Sequence, residues 1–363
     1  MYATSGRTLY KTSNGGASWI TQTTQLPNTL SDLQISPADP NILFAGNGGI
    51  AAGGFYRSVD GGINWIQSIA GFGRSKSINA IAVDPANPNL LYAGGSATGL
   101  YRSIDTGDTW TLVSSAVPDH YVQSLTVDSG GRVYCGFGGT LHFSNNQGAS
   151  WPSLNGNLQN IDVFNVVPHP SNAKILYASS LGGAHRSVNG GVTWQTINTG
   201  LFDNDLFAMA IAPANPNILY VGTFGGLVYK TADGGNTWTE KSNGLLAFGT
   251  PGSSVGKISV HPKNSDWVWT GTFRAFQSFN GGESWSPFII NGRRVVNVVF
   301  DPLRPDTLYA TANDTLFRTT DRGAVWVVRR TGVRLSSLAI DPNNPTFFTP
   351  IPSVALRKAS PPA

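Results

Sequence analysis

One phrase, Ser/Thr-x-Asp/Asn-x-Gly-x-x-Trp, occurs eight times along the 363 residues and confines the chain to copies of one small structural unit. It reads TSNGGASW at Thr12–Trp19, SVDGGINW at Ser58–Trp65, SIDTGDTW at Ser103–Trp110 and SNNQGASW at Ser144–Trp151. SVNGGVTW at Ser187–Trp194, TADGGNTW at Thr231–Trp238, SFNGGESW at Ser278–Trp285 and TTDRGAVW at Thr319–Trp326 complete the set. Successive tryptophans are 46, 45, 41, 43, 44, 47 and 41 residues apart. A unit of that length cannot bury its apolar face alone, so neighbouring copies must stack into a ring or an array.

A second phrase alternates with the first. Its copies include LQISPADPNILFAG from Leu33, IAVDPANPNLLYAG from Ile81, VVPHPSNAKILYAS from Val166 and MAIAPANPNILYVG from Met209. ISVHPKNSDWVWTG from Ile258 and VVFDPLRPDTLYAT from Val298 follow; LTVDSGGRVYCG from Leu125 is a worn copy, and LAIDPNNPTFF from Leu338 is the last. Each repeat therefore reads as apolar strand, Pro-rich turn, apolar strand, Gly-rich turn, strand ending in Ser/Thr, hairpin box and Trp-led strand. That is an all-β unit of four antiparallel strands. The last repeat runs out of pattern near Phe347, and Met1-Tyr2-Ala3 supplies the missing Leu-Tyr-Ala phrase. The expectation is a single eight-bladed β-propeller of four-stranded antiparallel blades over residues 1–348. Its last blade would be closed by N- and C-terminal strands, with Leu335 to Asp341 as the innermost strand. Residues 349–363 (TPIPSVALRKASPPA) fit no repeat and read as a loose, Pro-rich tail.

The box chemistry reads as architectural. A carboxylate or amide at its third position can accept backbone N–H groups of its own turn, and the glycine two residues later suits a positive φ. Four copies carry Asp (Asp60, Asp105, Asp233, Asp321) and four carry Asn (Asn14, Asn146, Asn189, Asn280). A calcium site or a catalytic carboxylate would need the charge, whereas all eight share only an acceptor oxygen.

With these boxes the chain resembles the Asp-box (BNR) β-propellers, which include sialidases, xyloglucanases, the sortilin luminal domain and photosystem II assembly factors. The resemblance covers nearly the whole chain and implies the fold; the families share the box while differing in chemistry. Sialidases carry an Arg-Ile-Pro phrase, three arginines and a Tyr–Glu pair. Here the nearest arginine phrase, FRAF at Phe273–Phe276, is a repeat element. The two glutamates, Glu240 and Glu283, follow a box Trp and lie inside a box. Xyloglucanases use two Asp in a cleft between two propellers, where this chain has one ring. Sortilin-type receptors add a Cys-rich module, where this chain has Cys135 alone.

Composition narrows the partners. Charged residues make up 12%, and the net charge of +4 is spread without a basic run, which argues against nucleic acid. A lone Cys135 permits no internal disulfide or multi-Cys metal site and reads as a small buried hydrophobe. No run is long and apolar enough for a membrane span, and no signal peptide is present in this chain. A monomer with no cofactor or metal, placed outside the cell or in the periplasm, is the expectation.

Turns of the two repeated phrases share one end of the blades, so variable loops at the other end are the place for binding. Eight residues before each turn proline stand Thr29, Ser77, Tyr121, Asp162, Asp205, Ser254, Arg294 and Arg334, expected at the heads of the innermost strands around the channel mouth. Asp162 and Asp205 on neighbouring blades would lie roughly 5–10 Å apart, the span used by two-carboxylate glycosidases. Tyr121, Arg294 and Arg334 would orient a polar ligand. Phe72 and Arg74, with Lys76, are expected on a protruding loop, and Trp267 and Trp269 invite a sugar-stacking reading that for Trp269 yields to its place in the Tyr column. The favoured reading is a non-catalytic binding or assembly propeller for a protein or glycan ligand. The alternative is a glycoside hydrolase using Asp162 and Asp205.

Overall fold

A computed structural model describes residues 1–5, 7–14, 18–24, 26, 30, 32–47, 54–68, 70–72, 78, 80–94, 99–113, 122–127, 130–137, 140–154, 158, 163–245, 254–271, 275–295, 297–301, 304, 306–312, 315–330 and 337–339. The expected tail at 349–363 lies outside them.

In every box the third residue ties its own turn. Its Oδ1 accepts the backbone N–H of the seventh residue in all eight copies, at 2.8–3.1 Å. The first residue's hydroxyl donates to the same oxygen at 2.6–2.9 Å. That hydroxyl also accepts the N–H of the fifth-position glycine. Those glycines have φ of 80–91°, where a β-carbon would be strained. Asp and Asn are interchangeable here because only an acceptor is used.

The strands between the boxes form seven four-stranded antiparallel blades. One of them runs Val163–Pro168, Leu176–Ser180, Gly183–Ser187 and Gln195–Thr196 from the centre outwards. Another is closed as expected: Tyr2–Ser5 lies between Thr8–Lys11 and Ser337–Ala339, with Ala3 opposite both Tyr10 and Leu338. The count of eight four-stranded blades is corrected. The repeat with the Asn146 box gives a three-stranded sheet, Val122–Val127, Val133–Phe137 and Thr140–Ser144. Its fourth position is reduced to a single bridge, His142 to Ser153. Pro152 stands where Gln195 pairs in the next repeat, and proline has no N–H to give the ladder.

The core is distributed among the seams between consecutive sheets. Tyr177, Ala184 and Ile197 of one blade, for example, pack against Leu206, Leu219, Tyr229 and Trp238 of the next. Six of the eight box tryptophans, from Trp110 to Trp326, are buried. Truncating one to alanine typically costs about 3–5 kcal/mol. Trp194, Trp238 and Trp285 also donate their indole N–H to a carbonyl of the preceding sheet's outer strand region, Leu154, Ile197 and Lys241.

A second device crosses the seams in the same direction. The residue before the box Ser/Thr is often a cation, and it reaches the box of the next sheet. Arg57 pairs with Asp108 and donates to Thr106 Oγ1 at 2.9 Å. Arg102 donates to the Gln147 carbonyl at 2.7 Å and Arg186 to that of Gly234 at 3.0 Å. Lys11, Lys230 and Arg318 lie 5.4–5.8 Å above Tyr2, Tyr220 and Tyr309 of their own second strands. The Tyr2 and Tyr220 hydroxyls in turn donate to the Pro40 and Ser265 carbonyls of the following sheet, at 3.1 and 2.9 Å.

Two predictions follow from this frame. Ala3→Pro removes an N–H at a fully buried residue of a strand flanked on both sides. It should lower the thermal midpoint by several degrees as a cooperative loss, of about 3 kcal/mol, seen by circular dichroism. An unchanged midpoint would mean the closing pairing carries no stability. For the box, desolvation pushes the Asp60 carboxyl up, but hydrogen bonds from Asn64, Ser58 and Ile63 outweigh it and hold it below its ordinary 3.8. Its contribution is therefore present above about pH 4 and lost as pH falls further. Urea titrations at pH 7 should show Asp60→Ala costing about 1 kcal/mol and Asp60→Asn far less, with Asp60→Asn also losing the acid-dependent part. A calcium-dependent midpoint that Asp60→Asn abolishes would overturn the architectural reading.

Candidate functional site

Of the column expected at the loop end, the structure describes Asp205, Ser254 and Arg294. Thr29, Ser77, Tyr121, Asp162 and Arg334 lie outside the described residues, as do Arg74 and Lys76. Asp205 is exposed at the head of the innermost strand Leu206–Ile211, with its N–H donated to Asp203 Oδ1 at 3.1 Å. Ser254 is half-buried. Arg294 does not open an innermost strand. It pairs with Ile289 in an added hairpin, Ile289–Ile290 with Arg293–Arg294, and the innermost strand begins at Asn297. The turn, Asn291-Gly292 with φ of 54° and 75°, is the positive-φ pair that a tight two-residue hairpin requires.

Phe72 corrects a second expectation. It is 3% exposed, packed 4.5 Å from the Tyr101 ring and 4.8 Å from that of Trp110. Gly71-Phe72 occupies the place of Gly200-Leu201 and Gly244-Leu245 in later repeats. In all three pairs the glycine has a φ of 93–94° and a β-carbon would overlap the backbone of the next box Trp. The Trp N–H closes each contact on the residue before that glycine, Ala70, Thr199 or Asn243. The residue after the glycine is thereby driven into the seam, whether Leu or Phe.

What the sequence reading missed is a group of phenylalanines beside Asp205. The innermost strands starting at Val163 and Leu206 each carry a bulge, between Val163 and Asn165 and between Leu206 and Ala208. The extra residues are Phe164 and Phe207, and a bulge re-aims the side chain it carries. Their rings lie 5.5 Å apart, and both meet Phe224, at 5.5 and 4.8 Å. Phe224 belongs to the turn after Leu219–Thr223 and is 38% exposed; its counterpart one repeat earlier, Leu181, is 43% exposed. Phe202, in the linker between the two blades, is 90% exposed. The Phe224 N–H donates to the Asp205 carbonyl at 2.9 Å, which binds linker and turn together. The signal was present as a repeat within the repeat, Asp162-Val163-Phe164 and Asp205-Leu206-Phe207.

On the next blade Lys257 opens the innermost strand Lys257–His261. It is accessible, yet desolvation by surrounding protein lowers its ammonium below the ordinary value. At the box end Trp269 is buried, as its column implied. Trp267 is half-buried against His261 and Phe279, with Arg322 5.5 Å above its ring. Cys135 is buried, and burial pushes its thiol up, away from reactivity. No group of three or more His, Cys, Asp or Glu among the described residues is arranged to hold a metal ion. No helix among them is long and apolar enough to cross a membrane.

No protein-family model matches the chain. A stretch of 150 residues is 30% identical to a xyloglucanase of Hypocrea jecorina, covering 39% of this chain and 17% of the relative. A probable oligoxyloglucan-reducing end-specific xyloglucanase of Neosartorya fischeri is 28% identical over 141 residues, again 17% of its length. Among solved structures, the GH74 enzyme of Niastella koreensis superposes with a TM-score of 0.57 and 19% identity, over 93% of this chain and 66% of that one. A YCF48 structure bound to D1 peptide gives 0.52 and 18% identity, over 77% and 87%. At these identities the solved structures establish a common fold.

One buried Ser–His contact has the outward form of an activated nucleophile. Ser180 Oγ lies 2.9 Å from His185 Nε2, but it also contacts the Gly183 carbonyl at 3.1 Å, and His185 Nδ1 faces Thr196 Oγ1 at 3.3 Å in place of a carboxylate. Both side chains are almost wholly buried, so the contact is structural. Desolvation lowers the His185 pKa from 6.5 to about 4, and desolvation also lowers that of His142. The unfolded chain therefore binds more protons between those values, and stability is full above about pH 6.5 and falls towards pH 4. For His185 that loss is on the order of 3 kcal/mol. Urea titrations of His185→Gln should show a flatter dependence across this range; an unchanged slope would remove His185 as its cause.

Proposed function

We propose that this chain, a propeller of the Asp-box superfamily, is a non-catalytic binding or assembly module whose loop face holds a protein or glycan ligand. The observation that carries the reading is the seam where Phe164, Phe207 and Phe224 meet beside an exposed linker. Large apolar rings left accessible at the end of a rigid frame are what a ligand can cover with gain. The peptide named with the YCF48 neighbour shows that a propeller of this fold can hold a protein segment, and supports the same use here. Residence outside the cell or in the periplasm belongs to this proposal.

The competing reading is a glycoside hydrolase acting through Asp162 and Asp205, and it is favoured by the partial likeness to two xyloglucanases. Such a pair requires one carboxyl kept protonated near neutral pH by its partner's charge. The chain matches only 17% of those relatives' length, so their activity does not transfer with the likeness. A polysaccharide hydrolysis screen that includes xyloglucan, run beside a glycan array, separates the two. The expected result is no turnover above background, with any array signal reduced by Phe224→Ser. Hydrolysis that both Asp162→Asn and Asp205→Asn abolish, with the fold intact, would overturn the binding reading.

A further inference from the structure

We infer that the Phe164–Phe207–Phe224 seam docks a short segment of another protein in which an aromatic or aliphatic side chain stands next to a lysine or arginine; this rests on the binding reading above. Two features of the seam meet in this choice, one apolar and one charged.

The apolar feature is concentrated. Exposed large side chains elsewhere, such as Val59, Ile104, Val188 and Val325, fall one or two to a box turn around the opposite end. Scattered singly, they are ordinary surface. Leu181, Phe202 and Phe224 instead fall in the turns and linker of two consecutive blades, and Phe224 meets the partly exposed rings of Phe164 and Phe207. The rings stand at 4.8–5.5 Å in edge and tilted arrangements, so the face is built before anything binds.

The charged feature is attached to the same atoms. Asp203 and Asp205 flank the linker next to Phe202. The Asp203 carboxylate lies against Gly225, where a β-carbon would stand 2.7 Å from Oδ2, so it overhangs the turn that carries Phe224. Asp205 is fixed to that turn through its carbonyl and holds its own N–H on Asp203. Neither carboxylate forms an ion pair among the described residues. In a chain of net charge +4, this is a local negative edge on an apolar face. A lysine or arginine satisfies both halves, since its stem covers the rings while its head reaches the carboxylates. A neutral saccharide can stack on the rings and donate hydroxyls to the carboxylates but leaves their charge uncompensated, and an acidic segment is repelled. Lys257, at the head of the next innermost strand, disfavours a second cation on that side and directs the basic end towards the linker.

The test is selection from a phage-displayed library of random dodecapeptides on the full chain, with depletion on the Phe202→Ser/Phe224→Ser double variant. Phe202 is 90% exposed, so Phe202→Ser should keep the wild-type melting midpoint, and it serves alone if the double variant, which also removes the Phe224 ring contacts, does not. Expected are peptides pairing Lys or Arg with an aromatic or aliphatic neighbour. A labelled representative should bind about tenfold more weakly to Phe224→Ser and a few-fold more weakly to Asp205→Asn, and should weaken with added salt. No enrichment, enrichment of acidic or uncharged sequences, or equal binding to Phe224→Ser would each overturn the inference. Glycan-array binding lost in Phe224→Ser without peptide enrichment would sink the basic segment and leave the binding face standing. Hydrolysis dependent on both aspartates would sink the binding reading itself.

Discussion

Everything in this ring depends on the box turn being a receptor as well as a turn. The Asx oxygen and the Ser/Thr hydroxyl hold each box in one shape, and that shape presents carbonyls and hydroxyls to the sheet before it. Arg57, Arg102 and Arg186 use them directly, while Tyr2 and Tyr220 reach the neighbouring turn beside them. The box Trp then reaches back with its indole or its backbone. Each exposed ion pair is worth little, about 0–1 kcal/mol. Their strength lies in repetition from seam to seam, with the apolar packing beneath. Stability in such a molecule is a sum over neighbour contacts, so damage to one seam is felt at once by the two sheets that share it.

Much of this was legible in the sequence because it is local. The box needs only residues within eight positions, and the closing strand was visible as the complement of an unfinished last repeat. The three-stranded sheet was legible too, once the pairing register is applied: Pro152 follows Trp151 directly, at a position that must donate to the ladder. The cation before most of the box Ser/Thr residues stands in plain view as a column, yet its partner is one repeat away, and spacing alone does not reveal that. Phe72 was misplaced for a related reason. A Gly-Phe in a long loop reads as a protrusion until it is aligned with Gly200-Leu201 and Gly244-Leu245, where the glycine's close approach to a Trp carbonyl turns the next side chain inwards. Phe164 and Phe207 were hidden because a bulge is a property of two paired strands, whereas period-two reasoning on one strand assigns such residues to the packed face.

The candidate site illustrates how a repeating scaffold acquires a particular surface. Positions that serve the seams are filled alike in nearly every repeat, by Tyr, Trp, Gly and a cation. The loop end has no such duty, and there two consecutive repeats diverge together, adding a ring at each bulge and a ring or a leucine at each following turn. Because the rings come from neighbouring blades, neither blade alone builds the surface. Asp205 gains its setting the same way, through a turn on its own blade and a linker from the blade before.

The pairing of Tyr2–Ser5 with Ser337–Ala339 also has a consequence in time. More than 330 residues separate the two strands along the chain. At a synthesis rate of roughly 5–20 residues per second, the earlier strand waits on the order of 20–60 s for its inner neighbour. Throughout that interval its backbone offers a row of unpaired donors and acceptors, the kind of edge that recruits strands from other molecules. Thr8–Lys11 can cover only its other side. The contact that completes this blade is thus the one that keeps an edge of it open while the rest of the ring is made.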